Sequence, residues 1–438
     1  MPVAFSLRKA IAGASLALAA AACQSNTETT ETAAATAAAS PLTAGTWRGV
    51  LATQGQEIPF LFDVATDNGQ PTVTLRNGEE RLKLDEIATA GDSTTIKLGV
   101  FDAALVVRAA GKGKLTGAWV KYDAGKPYRV PLTAEKQGAE KPIAGAYKMM
   151  PLLGVSGTWN VTFTDDEGHS YPAVGVFEEE KRDNPPIEPR ANNLTGTFLT
   201  TTGDYRYLSG NTTDDKLMMT TFDGSHGFLF TAKKQPDGTL KGDFYSGLSG
   251  HETWTATLDP KAKLPDANAL TGMKPGQKKL DFKFPGIEGG TISPTDAKYK
   301  GKVVVVQMLG SWCPNCMDET NFLAPWYEQN KQRGVEIIGL GYERASDDEA
   351  TAKRKLTKMK QRLNVGYDLA LAGTADKDAA GKTLPQIQKV LAFPTTIFID
   401  KKGEVRQIHT GFSGPGTGQY YEQEKADFNK TIDQLLAE

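Results

Sequence analysis

The sequence predicts a multidomain protein. An antiparallel β-rich N-terminal region, made of two repeated meander modules (each a barrel or sandwich), precedes an α/β domain. Three observations predict this. From Gly45 to about Leu258, short runs of strand type are separated by Asn-Gly and Asp-Gly turn signals, and no stretch of ordinary helical length stands out. The tripeptide Gly-Thr-Trp opens a similar stretch twice, at Gly45–Trp47 and Gly157–Trp159. Beyond Lys279, apolar strands alternate with helical stretches.

A chain of 438 residues suggests about two to four domains. Hydrophobic residues make up 39 % and charged residues 23 %, enough for ordinary cores. The formal net charge of −2 leaves no basic footprint and argues against a nucleic-acid partner. The run Lys353-Arg354-Lys355, with Lys358, Lys360 and Arg362, reads as a solvated helix face.

Residues 1–22 are expected to be a signal peptide of the lipoprotein type. Arg8 and Lys9 precede an apolar stretch of 13 residues, Ala10–Ala22, where a membrane-spanning helix needs about 20. Ala20-Ala21-Ala22-Cys23 resembles a bacterial lipobox, with Ala20 standing where an aliphatic residue is usual. That resemblance implies cleavage before Cys23 and lipidation of Cys23 as a membrane anchor. The alternative is an ordinary Ala-x-Ala cleavage site followed by an unrelated cysteine. Both place the mature chain outside the cytoplasm; the lipoprotein reading anchors it in the cell envelope to a membrane facing the periplasm, and Gln24, not Asp, after the cysteine favours the outer membrane. Residues 23–42 are expected to be a flexible tether, since Gln24–Ser40 is rich in Thr, Glu and Ala and lacks aromatic residues.

The β modules are expected at residues 43–138 and 157–260, joined by a linker at 139–156. Strand-like runs include Glu57–Val64, Thr94–Val100 and Gly242–Tyr245, and turn signals include Asp67-Asn68-Gly69, Asn77-Gly78 and Asp237-Gly238. Three features recur in order. Trp47 returns as Trp159, Phe101-Asp102 as Phe222-Asp223, and Leu115-Thr-Gly-Ala-Trp119 as Leu240-Lys-Gly-Asp-Phe244, at separations of 112, 121 and 125 residues. The drift is what loop insertions produce, and copies of about 100 residues suit small barrels or sandwiches. The Gly-x-Trp opening is similar to the start of lipocalin-like barrels. One larger barrel shared by both repeats is the alternative. His226, between Gly224 and Gly227, reads as a loop histidine, and Tyr205, Tyr207, Tyr245 and Trp254 as strand packing. The modules bind a partner or act as a spacer; their residues do not decide between the two.

Residues 261–278, rich in Pro, Ala, Gly and Lys, read as a second linker, and residues 279–438 as the α/β domain. Leu280–Phe284 and Gly286–Ile292 suggest an entry hairpin. Strands are expected at Val303–Leu309, Val335–Leu340, Tyr367–Leu371, Phe393–Asp400 and Glu404–Ile408. Helices are expected at Met317–Asn330, Asp347–Leu363, Leu384–Leu391 and Tyr421–Leu436.

The most informative stretch is Trp312-Cys313-Pro314-Asn315-Cys316, directly after a Val-rich strand. Two thiols three residues apart at a helix N-terminus suit redox chemistry. The helix dipole and free N–H groups favour a thiolate at the first, and the second can close a disulfide. A structural zinc site wants four ligands, and this chain offers one further cysteine and four histidines without a His-x3–5-His pair. Outside the cytoplasm, such a dithiol can cycle against disulfides.

This motif, with Phe393-Pro394-Thr395-Thr396 before a later strand, resembles the thioredoxin superfamily, and within it the TlpA/ResA-like extracytoplasmic thiol–disulfide oxidoreductases. The resemblance covers the C-terminal part only. It implies a Cys313–Cys316 redox disulfide, with Cys313 attacking and Cys316 resolving. It implies that Pro394 is a cis-proline facing the disulfide and that Trp312, Phe393 and Thr395 contact an extended substrate. Glu343 matches a glutamate that tunes the cysteine pKa and helps move protons; a surface salt bridge to Arg344 is the alternative. Asp318 and Glu319 read as structural acids of the first helical turn. The glycine-rich segment Thr410–Gly418 is expected as a loop beside the cysteines. No metal, flavin or nucleotide cofactor is implied. The implied partners are thiols and disulfides of exported proteins, and a membrane electron donor recharging the pair. The uncharged Pro314-Asn315 insert favours a reductant, such as one serving cytochrome c maturation. The alternatives are a thiol peroxidase, whose Thr-x-x-Cys arrangement is absent, and a surface lipoprotein whose β modules bind a ligand or partner.

Overall fold

The computed structural model describes residues 40–122, 128–138, 152–180, 193–344 and 348–438. The signal peptide, Cys23, nearly all of the tether and residues 139–151 of the first linker lie outside the described residues.

The first β module is a meander of nine strands among the described residues, running from Gly45 to Lys136. Its first strand, Gly45–Thr53, pairs antiparallel with Gln56–Asp67 on one side and with the last strand, Tyr128–Lys136, on the other. Asn68 and Gly69 both take positive φ, 50° and 78°, which closes the hairpin between Gln56–Asp67 and Gln70–Asn77 with the sheet's own twist. Side chains alternate, and Trp47, Leu51, Phe62, Val73 and Leu75 point inward at 2 % exposure or less. The edge strands Glu80–Leu84 and Ile87–Ala90 are not paired with each other, so this sheet stays open.

The second module repeats the plan from Gly157 to Leu258. Here Ser170–Glu179 also pairs with Leu194–Thr200, which closes the sheet into a barrel. The repeat extends to side chains. Trp47 Nε1 donates to the Thr43 carbonyl at 2.9 Å, and Trp159 Nε1 to the Val155 carbonyl at 2.8 Å. The barrel is filled with aromatic residues: Trp159, Phe163, Phe198, Phe230 and Trp254 are each at most 1 % exposed. Each module therefore has its own sheet, and the larger shared barrel is not formed. Phe222 of the second module inserts into the first, with ring centroids 4.6 Å from Phe60 and 5.3 Å from Trp119.

The C-terminal domain is a five-stranded mixed sheet with a thioredoxin-like order: Asp368–Thr374, Val335–Glu343, Val303–Leu309, Thr395–Ile399 and Val405–Thr410. The first three strands are parallel, Thr395–Ile399 runs antiparallel to Val303–Leu309, and Val405–Thr410 runs antiparallel to Thr395–Ile399. Every residue of Val303–Leu309 is buried, as expected of a central strand covered on both faces. Four helices accompany the sheet among the described residues: α1 (Pro314–Asn330), α2 (Glu349–Arg362), α3 (Lys377–Thr383) and α4 (Gln419–Ala437).

The structure corrects three local expectations. The helix expected at Leu384–Leu391 lies earlier, as α3, because Asp376 caps it by accepting from Ala379 N–H at 2.7 Å. Leu384 precedes Pro385, which disfavours helical backbone there. The entry hairpin shrinks to Phe284–Pro285 paired with Thr291–Ile292. The second linker is fastened down. Lys274 N–H donates to the Gln386 carbonyl and Gln388 N–H to the Gly272 carbonyl, both at 2.8 Å. Val405 N–H reaches the Lys278 carbonyl at 2.7 Å and Thr410 N–H the Ala267 carbonyl at 3.2 Å.

Candidate redox site

Strand Val303–Leu309 ends in Gly310-Ser311-Trp312, and the chain turns at once into α1. Cys313 is the N-cap residue, and Pro314 occupies the first helical turn, where its missing N–H costs nothing. Cys313 and Cys316 are joined as a disulfide, with Cα atoms 5.2 Å apart. Cys313 Sγ accepts from Cys316 N–H at 3.2 Å, a donor that would equally serve a thiolate. Cys313 is 4 % exposed and Cys316 is fully buried.

Glu343 ends the neighbouring strand, and its two carboxylate oxygens accept from Ser311 N–H at 2.8 Å and Ser311 Oγ at 2.7 Å. It thus fixes the turn that delivers Cys313. Trp312 Nε1 donates to the Tyr342 carbonyl at 2.9 Å, its ring meets Phe393 edge-on at 5.9 Å, and the Arg344 guanidinium lies 4.1 Å over it. The Phe393–Pro394 bond is cis, and the Phe393 carbonyl oxygen lies 3.5 Å from Cys313 Sγ. Thr395 sits inside the sheet, paired with Met308 on one side and Thr410 on the other, so its main chain does not face a free edge. The glycine-rich loop lies beside the motif, and Gly411 N–H donates to the Pro394 carbonyl at 2.9 Å.

Asp318 and Glu319, read as structural acids of the first helical turn, lie in the second turn and are buried, because the helix begins at Pro314. Glu319, three residues after Cys316 and so on the same helix face, accepts from Gln307 Nε2 at 2.8 Å and from Thr396 Oγ1. Burial pushes its carboxyl up to about 7 against those hydrogen bonds. His409, the cross-strand partner of Thr396, pairs with Glu424 at 2.9 Å and is raised by that carboxylate although burial opposes it. Asp318 meets Arg206 of the second module at 3.1 Å, yet burial pushes its carboxyl up to about 8.

Sequence reasoning missed the second module's part in the site. Arg206 Nη1 donates to the Pro314 carbonyl at 3.3 Å, and its Nη2 also pairs with Glu80 of the first module. Asn315 Nδ2 donates to the Asp204 carbonyl at 3.2 Å, and Ser225 Oγ to the Trp312 carbonyl at 3.0 Å. Asp204 Oδ2 accepts from Gly414 N–H at 2.7 Å. Arg206, between two aromatic residues in a strand-rich region, carried no local signal; its partners are remote in sequence.

A family model described as AhpC/TSA matches residues 275–408. The thiol–disulfide oxidoreductase ResA of Bacillus thuringiensis subsp. konkukian is 31 % identical over 135 residues, which is 31 % of this chain and 69 % of ResA. ResA of Halalkalibacterium halodurans is 29 % identical over 136 residues, covering 31 % of this chain and 68 % of the relative. The thiol:disulfide interchange protein DsbE of Pseudomonas aeruginosa is 34 % identical over 146 residues, 33 % of this chain and 72 % of DsbE.

Proposed function

Because this chain belongs, through its C-terminal part, to the thiol–disulfide oxidoreductases that include ResA and DsbE, we propose that its dithiol reduces disulfides of exported proteins. The observation that carries this reading is the Cys313–Cys316 pair at the cap of α1, with the carbonyl of Phe393, the residue before Pro394, against Cys313 Sγ.

Cys313, as thiolate, attacks one sulfur of the partner's disulfide, forming a mixed disulfide and expelling the other partner sulfur as a thiolate. Cys316 then attacks Cys313 Sγ. The Cys313–Cys316 disulfide forms, the second partner sulfur leaves, and two electrons have passed to the partner. A dithiol donor at the membrane returns the oxidised pair to its reduced form. The α1 N-terminus and Cys316 N–H favour the Cys313 thiolate. In this reading Glu319, one helical turn after Cys316 on the same face, takes the Cys316 proton, and a carboxyl pushed up to about 7 by burial suits that exchange at neutral pH. Glu343 acts as a positioning residue through Ser311, and Trp312 and Phe393 wall the approach to Cys313. In this reading Cys23 carries the lipid anchor and the mature chain faces the periplasm, with the outer membrane favoured.

The test is insulin reduction by the full chain. Cys313→Ser abolishes turnover, and Cys316→Ser accumulates mixed disulfides with its partners; turnover surviving in Cys313→Ser overturns the mechanism. Equilibration in dithiothreitol or glutathione buffers fixes the direction. A potential near or below about −240 mV is that of a reductant, and one above about −150 mV is that of a disulfide donor. Loss of membrane association and of fatty-acid labelling in Cys23→Ser tests the anchor.

A further inference from the structure

The cysteine motif is covered by the second β module. The hairpin formed by Leu194–Thr200 and Gly203–Asp204 runs on through Arg206 directly over Pro314 and Asn315. Gly203, at φ +139°, lies so close that a Cβ there would sit 3.2 Å from the Asn315 side chain. Gly411, beside Pro394, is packed against Thr202 and Gly203 from the other side, where a Cβ would sit 3.1 Å from backbone. The loop Phe222–His226 completes the cover through Ser225 Oγ on the Trp312 carbonyl. This loop is held from behind by the first module, through Trp119 Nε1 to the Gly224 carbonyl at 3.2 Å and Lys121 Nζ to the Ser225 carbonyl at 3.1 Å.

With Cys313 4 % exposed, a protein disulfide has no room to meet its sulfur while the hairpin is down. The contacts that hold the hairpin are polar, and intrachain interfaces of that kind separate more readily than apolar ones. They converge on Arg206, which joins Glu80 of the first module, Asp318 of α1 and the Pro314 carbonyl. Two buried atoms of this cluster, Arg206 Nε and Asp318 Oδ2, find no hydrogen-bond partner, so the closed arrangement is not fully satisfied.

We propose that the hairpin ending at Arg206 is the specificity element of this oxidoreductase: closed, it admits small disulfides to Cys313, and it must lift before a polypeptide disulfide can react. Arg206 is the latch. It acts through the motif's main chain and is a positioning residue, not one that touches the reacting sulfurs. The proposal rests on the reduction of disulfides described above.

The test uses the full chain and two substrates, insulin and 5,5′-dithiobis(2-nitrobenzoate), and reads the ratio of their kcat/KM values. Arg206→Met frees the latch. Gly203→Val leaves every buried charge in place and pushes the hairpin off Asn315, so it carries the test if Arg206→Met does not fold by circular dichroism. If the open form is about a tenth of the population or less, freeing it raises the insulin-to-small-disulfide ratio about tenfold or more. A ratio unchanged in the folded variants overturns the latch while leaving the oxidoreductase intact. A wild-type chain that reduces neither substrate overturns the reading on which the latch rests.

Discussion

The first and second β modules share a strand plan and a Phe-Asp corner, but they bring that corner to different places on the thioredoxin-like domain. In the first, Asp102 lies at the surface and pairs with Lys355 of α2 at 3.1 Å. In the second, Asp223 is buried and accepts from the N–H groups of Ser225 and His226, at 2.8 and 2.7 Å, folding the loop that reaches Trp312. Burial opposes its charge, but His226 and Arg206 hold its carboxyl down at about 2. Phe222, from the second corner, is fully buried among Phe60 and Trp119 of the first module, while Phe101 keeps 7 % exposure. One duplicated corner anchors against a helix distant from the motif, and the other closes over the cysteines. The difference lies in the backbone: after Asp102 the chain enters a strand at once, with Ala104 paired to Lys97 and Val120, whereas residues 223–226 form a loop that carries Ser225 Oγ to the Trp312 carbonyl.

The comparison is broken most severely at Phe222. Phe222→Ala is expected to lower stability by about 3–5 kcal/mol, the usual cost of emptying a buried aromatic site. Phe101→Ala is expected to cost less, and urea midpoints that rank the two the other way would refute the asymmetry. Next comes pH. Asp318, facing Arg206, Asp204, Glu80 and Asp223, with Tyr207 and Tyr421 nearby, is held at about 8 in the fold against 3.8 for an ordinary aspartate. The folded chain therefore binds this proton more tightly than the unfolded chain. Its contribution is complete below about pH 4 and is lost as pH rises towards 8, at no more than about 1.4 kcal/mol per pH unit. Unfolding midpoints across that range should fall less steeply in Asp318→Asn than in the wild type; parallel slopes would refute the assignment.

Asp223→Ala, which strips the acceptor from two loop N–H groups, is expected to cost about 1–3 kcal/mol and to raise insulin turnover. Asp102→Ala should leave turnover unchanged, so equal changes in the two variants would erase the functional distinction between the corners. The smallest effect is expected at Ser225→Ala, which deletes one neutral hydrogen bond worth about 0.5–1.5 kcal/mol. A slight gain in insulin turnover, visible in a direct rate comparison, would sharpen the case that this hydroxyl helps to close the site.

The β-rich region was legible because alternation, Asn-Gly turns and the paired Gly-Thr-Trp openings are local signals. The cysteine motif was legible for the same reason, since a strand, a turn and a helix cap lie within 14 consecutive residues, Val303–Cys316. Illegible parts depend on distant segments meeting. Arg206, Glu80 and Asp318 come from three elements that no sequence spacing relates. Asp318 and Glu319 were placed one turn too early, since the helix begins at Pro314, and their burial follows from what covers α1, which no local signal carries. The misplaced α3 shows the weaker side of local reasoning: the apolar run Leu384–Leu391 outweighed Pro385 and hid the cap at Asp376.

The strap at residues 261–278 has a consequence for self-association. It runs along Val405–Thr410, the outermost strand of the five-stranded sheet, and bonds to it through Ala267 and Lys278. Asn268 adds a side-chain bond, its Oδ1 accepting from Gln407 Nε2 at 2.8 Å. A bare sheet edge is a template for pairing with another molecule. A fragment cut at Lys279 would expose that template and is expected to aggregate, whereas one that begins at Lys261 carries its own cover. The strap thus gives the outer edge of the sheet a cover that belongs to the same chain.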